Sequence, residues 1–454
     1  MELKDKKVLV VGTGRSGLGA VTLLSGHGAR ILLLDQNTKT SAEAVMTRLR
    51  EGESDFVELV IGDLPDGAEK TLDFAVLSPA VPMDSPVAKT LVKAGVPVLS
   101  ELELAYRFDR GDVIAITGTN GKTTTTTLTG EIMKAYKDEV YVVGNIGYSY
   151  AGAADATTER SVSVAEVSSF QLEWADEFHP RVSAILNITP DHLDRHYTMQ
   201  NYAAVKEKIA RRQTQDEVCV LNYDDVWLRP FGECLCPAKA VWFSSGTVLR
   251  DGFYLRDGVI YRARNGVSQT LLYVSEMQLV GVCNAENVMA AMAIAEAYGV
   301  PMETILDVIR KFPPVKDRIE FVGEKGGVRY YNDSKATNPD AAIQGIKAMD
   351  RPTVLIGGGY DKHNEYGEWI DAFGGKVKEL VLIGQTREAI AAACRERGFT
   401  SIHMCDTFEE CLQYCTSVAD KGDAVLLSPA CASWGMFPNY EVRGDMFRDY
   451  VKGL

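Results

Sequence analysis

The segment Ile116-Thr117-Gly118-Thr119-Asn120-Gly121-Lys122-Thr123-Thr124 joins an apolar, β-branched run at 113–116 to a helical stretch at 123–133. A strand that turns through glycines straight into a helix is a strong constraint on fold. Glycines let backbone N–H groups face an anion, and the helix N-terminus adds partial positive charge. In such a loop Lys122 reaches the outer phosphates of a nucleotide, and the Thr123 hydroxyl can ligate Mg²⁺. The common form carries a glycine five residues before the Gly-Lys pair. Here Ile116 holds that place and the first glycine is Gly118, so the loop is a subtype. A turn that merely caps a helix fits the Gly-Lys-Thr-Thr core poorly.

The same strand-then-helix order recurs along the chain. Runs at 6–11, 31–34, 74–77 and 96–99 read as strands, with helical spacing at 18–24. Pro79, Pro82 and Pro86 punctuate the later part, and a first domain is expected over residues 1–100. Further buried strands are expected at 140–143, 162–167 and 182–188. Residues 242–274 alternate apolar and polar, and Arg256-Asp257-Gly258 suits a hairpin turn, which predicts a small antiparallel region. Residues 284–298 are Ala-rich and helical, and Pro313-Pro314 marks a linker that closes a second domain, 101–314. Strands at 328–331, 353–356, 380–383 and 424–427 then define a third, 315–454. Alternating strands and helices imply an α/β class with mostly parallel sheets.

Composition narrows the function. A length of 454 residues suits two to four domains. A net charge of −14 opposes nucleic-acid binding, which needs a basic footprint. The nine cysteines show no framework spacing, and Cys234-Leu235-Cys236 lacks the two-residue gap of a zinc knuckle, so a reducing compartment is expected. Residues 1–7 are charged, without a signal-peptide core, and no apolar stretch approaches the ~20 residues that span a bilayer. These features predict a cytoplasmic protein without membrane insertion.

A second glycine turn, Gly12-Thr13-Gly14-Arg15-Ser16-Gly17, also lies between strand and helix, with Asp35 ending the next strand. Taken alone it is a dinucleotide fingerprint with Asp35 on a ribose hydroxyl, or a turn of the same shape without a dinucleotide. Glu166 interrupts the apolar run 162–167, a costly place for an acid unless it is paired, metal-bound or at an exposed strand end. Asp191-His192-Leu193-Asp194-Arg195-His196 packs two acids and two histidines beyond a strand, a donor set for Mg²⁺ or an ordinary polar loop. Lys206 by itself reads as a solvated lysine. In the third domain, Asn338-Pro339 suits a helix N-cap and first position, leaving Asp333, Lys335 and Thr337 to face a ligand. With Ser428-Pro429-Ala430-Cys431-Ala432-Ser433 and the 357–362 loop, three polar or glycine-rich loops follow strands, which describes a binding edge.

Together the segments 118–124, Gly144-Asn145-Ile146-Gly147, 166–173, 191–195, 284–287, 332–338 and 428–433 resemble the Mur ligase family of peptidoglycan synthesis over nearly the whole chain. The last two resemble most closely the member that adds D-glutamate. The resemblance implies an α/β protein of three domains: a Rossmann-like UDP-binding domain, a central P-loop ATPase domain and a C-terminal Rossmann-like domain that binds the amino acid. It implies an ATP-dependent ligase that makes an acyl phosphate of UDP-N-acetylmuramoyl-L-alanine and passes it to D-glutamate. By position, Gly118, Thr119, Asn120, Gly121, Lys122, Thr123, Thr124, Asn284, Asn287, Arg318 and Asp333 would hold ATP. Thr123 and Glu166 would hold one Mg²⁺; His192 and a carbamylated Lys206 would serve a second. Lys122, Asn145, His192 and Lys206 would be catalytic. Arg15, Ser16, Asp35, Gln36, Asn37, Asn145 and Ser168 would meet the UDP substrate. Lys335, Thr337, Lys362, Ser433 and Tyr440 would meet D-glutamate. Cys283 stands where relatives often have histidine, and Trp434 and Tyr440 where other residues occur, which bears on substrate contacts rather than on the reaction. A monomer is expected. The competing readings are another amino-acid ligase of the pathway, an NAD-dependent oxidoreductase, which leaves the Gly-Lys loop unexplained, and a nucleotide-gated binding protein, against which the acid and histidine loops argue.

Overall fold

The structure, a computed structural model, describes residues 1–454. The chain forms two compact units, Met1–Leu272 with Asn287–Ile309, and Tyr273–Glu286 with Arg310–Leu454.

The first unit holds two sheets. One is five-stranded and parallel, in the order Val57–Ile61, Arg30–Asp35, Lys7–Val11, Phe74–Leu77, Val98–Ser100. Strand order reverses beside Lys7–Val11, so the Gly12 turn emerges at a topological switch point. The other sheet runs Val267–Tyr273, Val259–Arg264, Gly252–Arg256, Lys239–Ser244, Val218–Asn222, Val182–Ile185, Asp112–Thr117, Val162–Glu166, Val140–Gly144. Its seven members from Val140–Gly144 to Gly252–Arg256 pair in parallel.

Antiparallel pairing begins later than the alternation suggested. Trp242 lies in Lys239–Ser244, which pairs in parallel on both sides; the hairpin is Gly252–Arg256 with Val259–Arg264. Asp257 (φ 50°) and Gly258 (φ 73°) make its turn, both left-handed as a type I′ turn requires. Lys239–Ser244 is only half buried over most of its length, so a parallel strand here carries the alternation of an antiparallel one. Strand Val182–Ile185 likewise stops short of residue 188, because the Asp225 carboxylate takes the Ile188 N–H at 2.6 Å.

Both sheets of this unit share one apolar core, in which Leu23, Leu104, Tyr150 and Ala154 are almost fully buried. Helix Arg15–Gly26 approaches helix Tyr150–Ala154 so closely that a Cβ on Gly19 would stand 1.9 Å from Ser149 Oγ. Buried Glu101 ties the same region, accepting from Ser149 Oγ at 2.6 Å and Ala151 N at 2.8 Å. Helix Lys122–Lys134 contains five consecutive threonines, weak helix formers, of which Thr123 to Thr126 are buried. Burial against the sheet outweighs propensity here, and Thr127 Oγ1 returns to the Thr123 carbonyl at 2.7 Å.

The second unit carries a six-stranded sheet: Glu320–Lys325, Val328–Asn332, Ala424–Leu427, Thr353–Gly358, Val377–Ile383, Ile402–Met404. The first pair is antiparallel and the rest parallel. The loops after Asn332, Leu427 and Gly358 therefore leave from one carboxyl edge, as the binding-edge reading requires. No helix of the chain is long and apolar enough to cross a membrane.

Candidate functional site

Sheet register assembles the site in the first unit. Ile116 faces Glu166, Glu166 faces Gly144, and Thr117 faces Ile185, so four strand ends stop level with the glycine loop. In that loop Gly118 (φ 151°) and Gly121 (φ 83°) take conformations that side chains disfavour. A Cβ on Gly121 would also lie 2.2 Å from Asn287 Oδ1. Asn187 pins the loop from the next strand end: its side chain accepts from Asn120 N at 2.8 Å, and its carbonyl from Thr119 N at 2.9 Å. Lys122 Nζ donates to the Gly118 and Thr119 carbonyls at 2.8 and 2.7 Å. Thr123 and Thr124 follow at the buried start of the helix, the hydroxyl-bearing first turn of a phosphate loop.

Glu166 is not at an exposed strand end; it is 2% exposed. Its Oε1 accepts from Asn145 Nδ2 at 2.9 Å, and its Oε2 is buried without a hydrogen-bond partner. A buried carboxylate oxygen in that condition is costly unless it meets a cation. The hard oxygen of Glu166, level with a loop that leads into the Thr123 hydroxyl, suits Mg²⁺, so the residues present fit the ion.

Lys206 is the other correction to a bland reading. It is 1% exposed rather than solvated, donates to the Gly118 carbonyl at 2.8 Å and lies over the Tyr202 ring. Burial, then the nearby Lys122 charge, pushes its pKa well below that of an ordinary lysine. The 191–196 stretch splits into separate fates. His192 sits at φ 53° with its ring against Phe170 and a side chain 45% exposed. His196 is buried, bonded to Ser169 Oγ at 3.0 Å, and burial holds it down at about 4, so it is neutral. Arg195 pairs with Glu173 and donates to the carbonyls of Pro79 and Val81 at 2.7 and 3.0 Å. Ser168 caps the short helix Ser169–Leu172 through a capping box with Gln171.

The Gly12 turn lies in the same unit. A Cβ on Gly17 would stand 1.8 Å from the Gly12 carbonyl, which explains the paired glycines. Arg15 donates to the Gly147 carbonyl at 2.8 Å, linking this turn to the Asn145 loop. Asp35 is spent locally: Oδ2 takes the Thr13 N–H and hydroxyl, and Oδ1 takes Asn37 N at 2.9 Å. Ser16 is half-buried, whereas Gln36 and Asn37 are exposed.

In the second unit, Asp333, read as facing a ligand, is 3% exposed. Its Oδ2 accepts from Ser428 Oγ at 2.7 Å and Oδ1 from Ile319 N at 3.3 Å. Burial raises its pKa to about 7, with Arg318 among the opposing causes. Arg318 Nε is buried without a hydrogen-bond partner. Lys335 Nζ lies 5.4 Å from the Tyr440 ring, and Lys362 Nζ 5.1 Å from the Trp434 ring. Asn338 caps helix Pro339–Ala348, accepting from Ala341 N at 2.8 Å, with Thr337 half-buried just before it. Ser433 is buried, and Asn284 anchors to the Val280 carbonyl at 2.8 Å.

Sequence reasoning missed Arg443. It is fully buried, and its guanidinium donates to Ser334 Oγ (2.9 Å), the Ser334 carbonyl (2.7 Å) and the Cys431 carbonyl (3.3 Å). It thereby fastens the 332–338 and 428–433 loops together. No motif marks it, since it lies on a helix, Tyr440–Gly453, with ordinary charged composition.

The predicted residues thus fall into two groups, one in each unit. Residues 6–100 match the model for the MurD-like N-terminal domain of Mur ligases, 116–295 the Mur ligase middle domain, and 317–431 the Mur ligase glutamate ligase domain. UDP-N-acetylmuramoylalanine--D-glutamate ligases are similar throughout: that of Lachnospira eligens is 51% identical over the whole of both chains. That of Lachnoclostridium phytofermentans is 49% identical over 100% of this chain and 99% of its own. Among solved structures, UDP-N-acetylmuramate-alanine ligase MurC of Thermotoga maritima has a TM-score of 0.61 at 17% identity, covering 98% of this chain and 99% of its own. MurF ligase of the same organism, in complex with ADP, has a TM-score of 0.59 at 18% identity, covering 100% and 96%. A glycine-lysine loop level with a buried, half-partnered glutamate, three matched domains and full-length identity of about one half converge on one conclusion: the chain belongs to the Mur ligase family.

Proposed function

We propose that the chain is an ATP-dependent ligase that adds D-glutamate to UDP-N-acetylmuramoyl-L-alanine in peptidoglycan precursor synthesis. The observation that carries the choice of amino acid is the full-length match to relatives bearing that activity in their names. The division of labour we propose is UDP-substrate binding by residues 1–100, ATP binding by 101–314 and amino-acid binding by 315–454. The protein would act as a cytoplasmic monomer.

The chemistry follows from the groups in place. The Gly118 to Thr124 loop holds the ATP phosphates, with Lys122 opposing their charge, and Asn284, Asn287, Arg318 and Asp333 hold the rest of the nucleotide. The unpartnered Arg318 Nε supports that role. A substrate carboxylate oxygen attacks the γ-phosphorus and ADP leaves, giving an acyl phosphate. The D-glutamate amine attacks its carbonyl carbon, and the tetrahedral intermediate collapses with loss of phosphate and a proton to give the amide. Asn145 orients the substrate carboxyl beside Glu166. Mg²⁺, when bound, supplies positive charge at the phosphoryl oxygens. Thr123 and Glu166 would hold one ion, with Lys206 and His192 at a second.

Lys206 supports a carbamate. Its amine meets a backbone carbonyl and an aromatic face rather than a carboxylate. Loss of one proton frees the amine, and addition of CO₂ to its nitrogen with loss of a second proton would turn a buried cation into an oxygen ligand. The UDP substrate would lie against Arg15, Ser16, Asp35, Gln36, Asn37 and Ser168. D-Glutamate would lie against Lys335, Thr337, Lys362, Ser433 and Tyr440, with cations facing its carboxylates.

The test is phosphate release from ATP with UDP-N-acetylmuramoyl-L-alanine and each of a panel of amino acids. D-Glutamate alone should give turnover, and Lys122→Ala should abolish it. Equal or greater turnover with another amino acid would overturn the assignment.

A further inference from the structure

The sheet of the second unit ends in a short edge strand, Ile402–Met404, paired with one neighbour only. Beyond it lies a cluster that the ligase reaction does not use. The ligand atoms of His403, Cys405 and Glu410 all lie within 4.8 Å of one another. His403 is on the edge strand, Cys405 just after it, and Glu410 in the first turn of helix Phe408–Val418. Cys405 neighbours Cys411, and Cys411 neighbours Cys415, all three buried.

We propose that His403, Cys405 and Glu410, with solvent as the fourth ligand, form a binding site for a borderline-soft divalent cation of the zinc type. The donor set decides the class. An imidazole, a thiolate and a carboxylate suit Zn²⁺ and its analogues, whereas Mg²⁺ takes oxygen alone. Geometry agrees. Tetrahedral bonds of about 2.0–2.3 Å put donors roughly 3.3–3.8 Å apart, so the cluster needs to close by about 1 Å. Glu410 is exposed and has the freedom to move in; its carboxylate accepts only from the Asp406 backbone N–H, at 3.0 Å. The His403 ring is already oriented, stacked on Tyr414 with centroids 3.5 Å apart and planes within 6°. Coordination replaces the S–H bond of the Cys405 thiol by an S–metal bond and releases its proton to solvent. The ion would staple the edge strand to the helix that follows it, a place where the sheet has no partner strand.

The site is distinct in chemistry from the oxygen ligands around Glu166, and this separates the two experimentally. Full-length protein, reduced and stripped of metal, is titrated with Co²⁺ in the absence of nucleotide. The expected result is one equivalent bound with a thiolate-to-cobalt charge-transfer band, displaced by Zn²⁺ and retained in Glu166→Gln. Cys405→Ser should abolish the band, and His403→Gln should weaken binding at least tenfold. If Cys405→Ser fails to fold, Glu410→Gln, a surface change, should shift the band and weaken binding. Absence of a band, or a band that survives Cys405→Ser, would overturn the proposal. So would uptake of no metal combined with a Cys405–Cys411 disulfide found by peptide mapping after air exposure, which would make the thiols a redox pair instead.

Discussion

Asp333→Asn isolates the electrostatic cost of the carboxyl edge in the second unit. Asp333 is almost fully buried, and burial outweighs its two hydrogen bonds and the charges of Arg318 and Arg443. Its pKa stands at about 7 in the folded chain. In the unfolded chain an aspartate titrates near 3.9. Between these values the folded protein keeps a proton that the unfolded protein has lost. The slope of stability with pH follows the difference in bound protons, so stability falls as pH rises through this window. The contribution is complete below about pH 4 and gone above about pH 7. At about 1.4 kcal/mol per pKa unit the window spans roughly 4 kcal/mol, of which about 3 kcal/mol lies between pH 5 and pH 8. Asparagine has the same shape and does not titrate. Any pH-independent offset reports its amide hydrogen bonds; only the slope reports the charge. Because the chain has two units, one global midpoint would mix them. Hydrogen exchange of peptides from Val328–Asn332 and Ala424–Leu427, corrected for the intrinsic pH effect, reads the right unit. The wild type should lose protection against the variant from pH 5 to pH 8. Parallel profiles would show that water or the two arginines already neutralise the burial cost.

Gly121→Ala places a side chain at φ 83° and 2.2 Å from Asn287 Oδ1. It should cost about 1–2 kcal/mol in a thermal melt and lower kcat at least tenfold in phosphate release. Glu166→Gln removes a buried charge with one unpartnered oxygen. The ligand-free melting temperature should hold or rise, while the extra stabilisation that Mg²⁺ gives with ATP should vanish in the same thermal assay. Arg443→Lys cannot reproduce the fork that spans Ser334 and Cys431. Denaturant unfolding should show a loss of about 2–3 kcal/mol, and steady-state kinetics a higher KM for D-glutamate.

Much of the architecture was legible because parallel strands buried on both faces read as continuous apolar runs, as in Phe74–Leu77 and Ala424–Leu427. Reading failed where a strand is half exposed, as around Trp242, or where a side chain captures a backbone N–H, as Asp225 does at Ile188. At the site, residue type was legible and partnership was not. Glu166 announced itself as an acid in an apolar run. That Asn145 lies beside it depends on the register that sets Gly144 against Glu166. Lys206 and Arg443 carry no local signal, because a cation on a helix looks solvated until the tertiary structure closes over it.

The two glycine turns make the same point more sharply, since the sequence of the first leaves a dinucleotide site and a plain turn both open. Gly12 to Gly17 is the more familiar pattern, and a dinucleotide reading rests on Asp35 being available to a ribose. The structure spends Asp35 on Thr13 and Asn37, so the acid that would select NAD is instead the brace that holds the turn open. The exposed side chains of Gln36 and Asn37 then stand beyond it, and Arg15 reaches across to Gly147 on the loop that carries Asn145. A turn braced in this way and tied to the Glu166 side of the central sheet supports the proposal that it holds one end of a long substrate. Among the readings open at the outset, that geometry favours the ligase over the oxidoreductase.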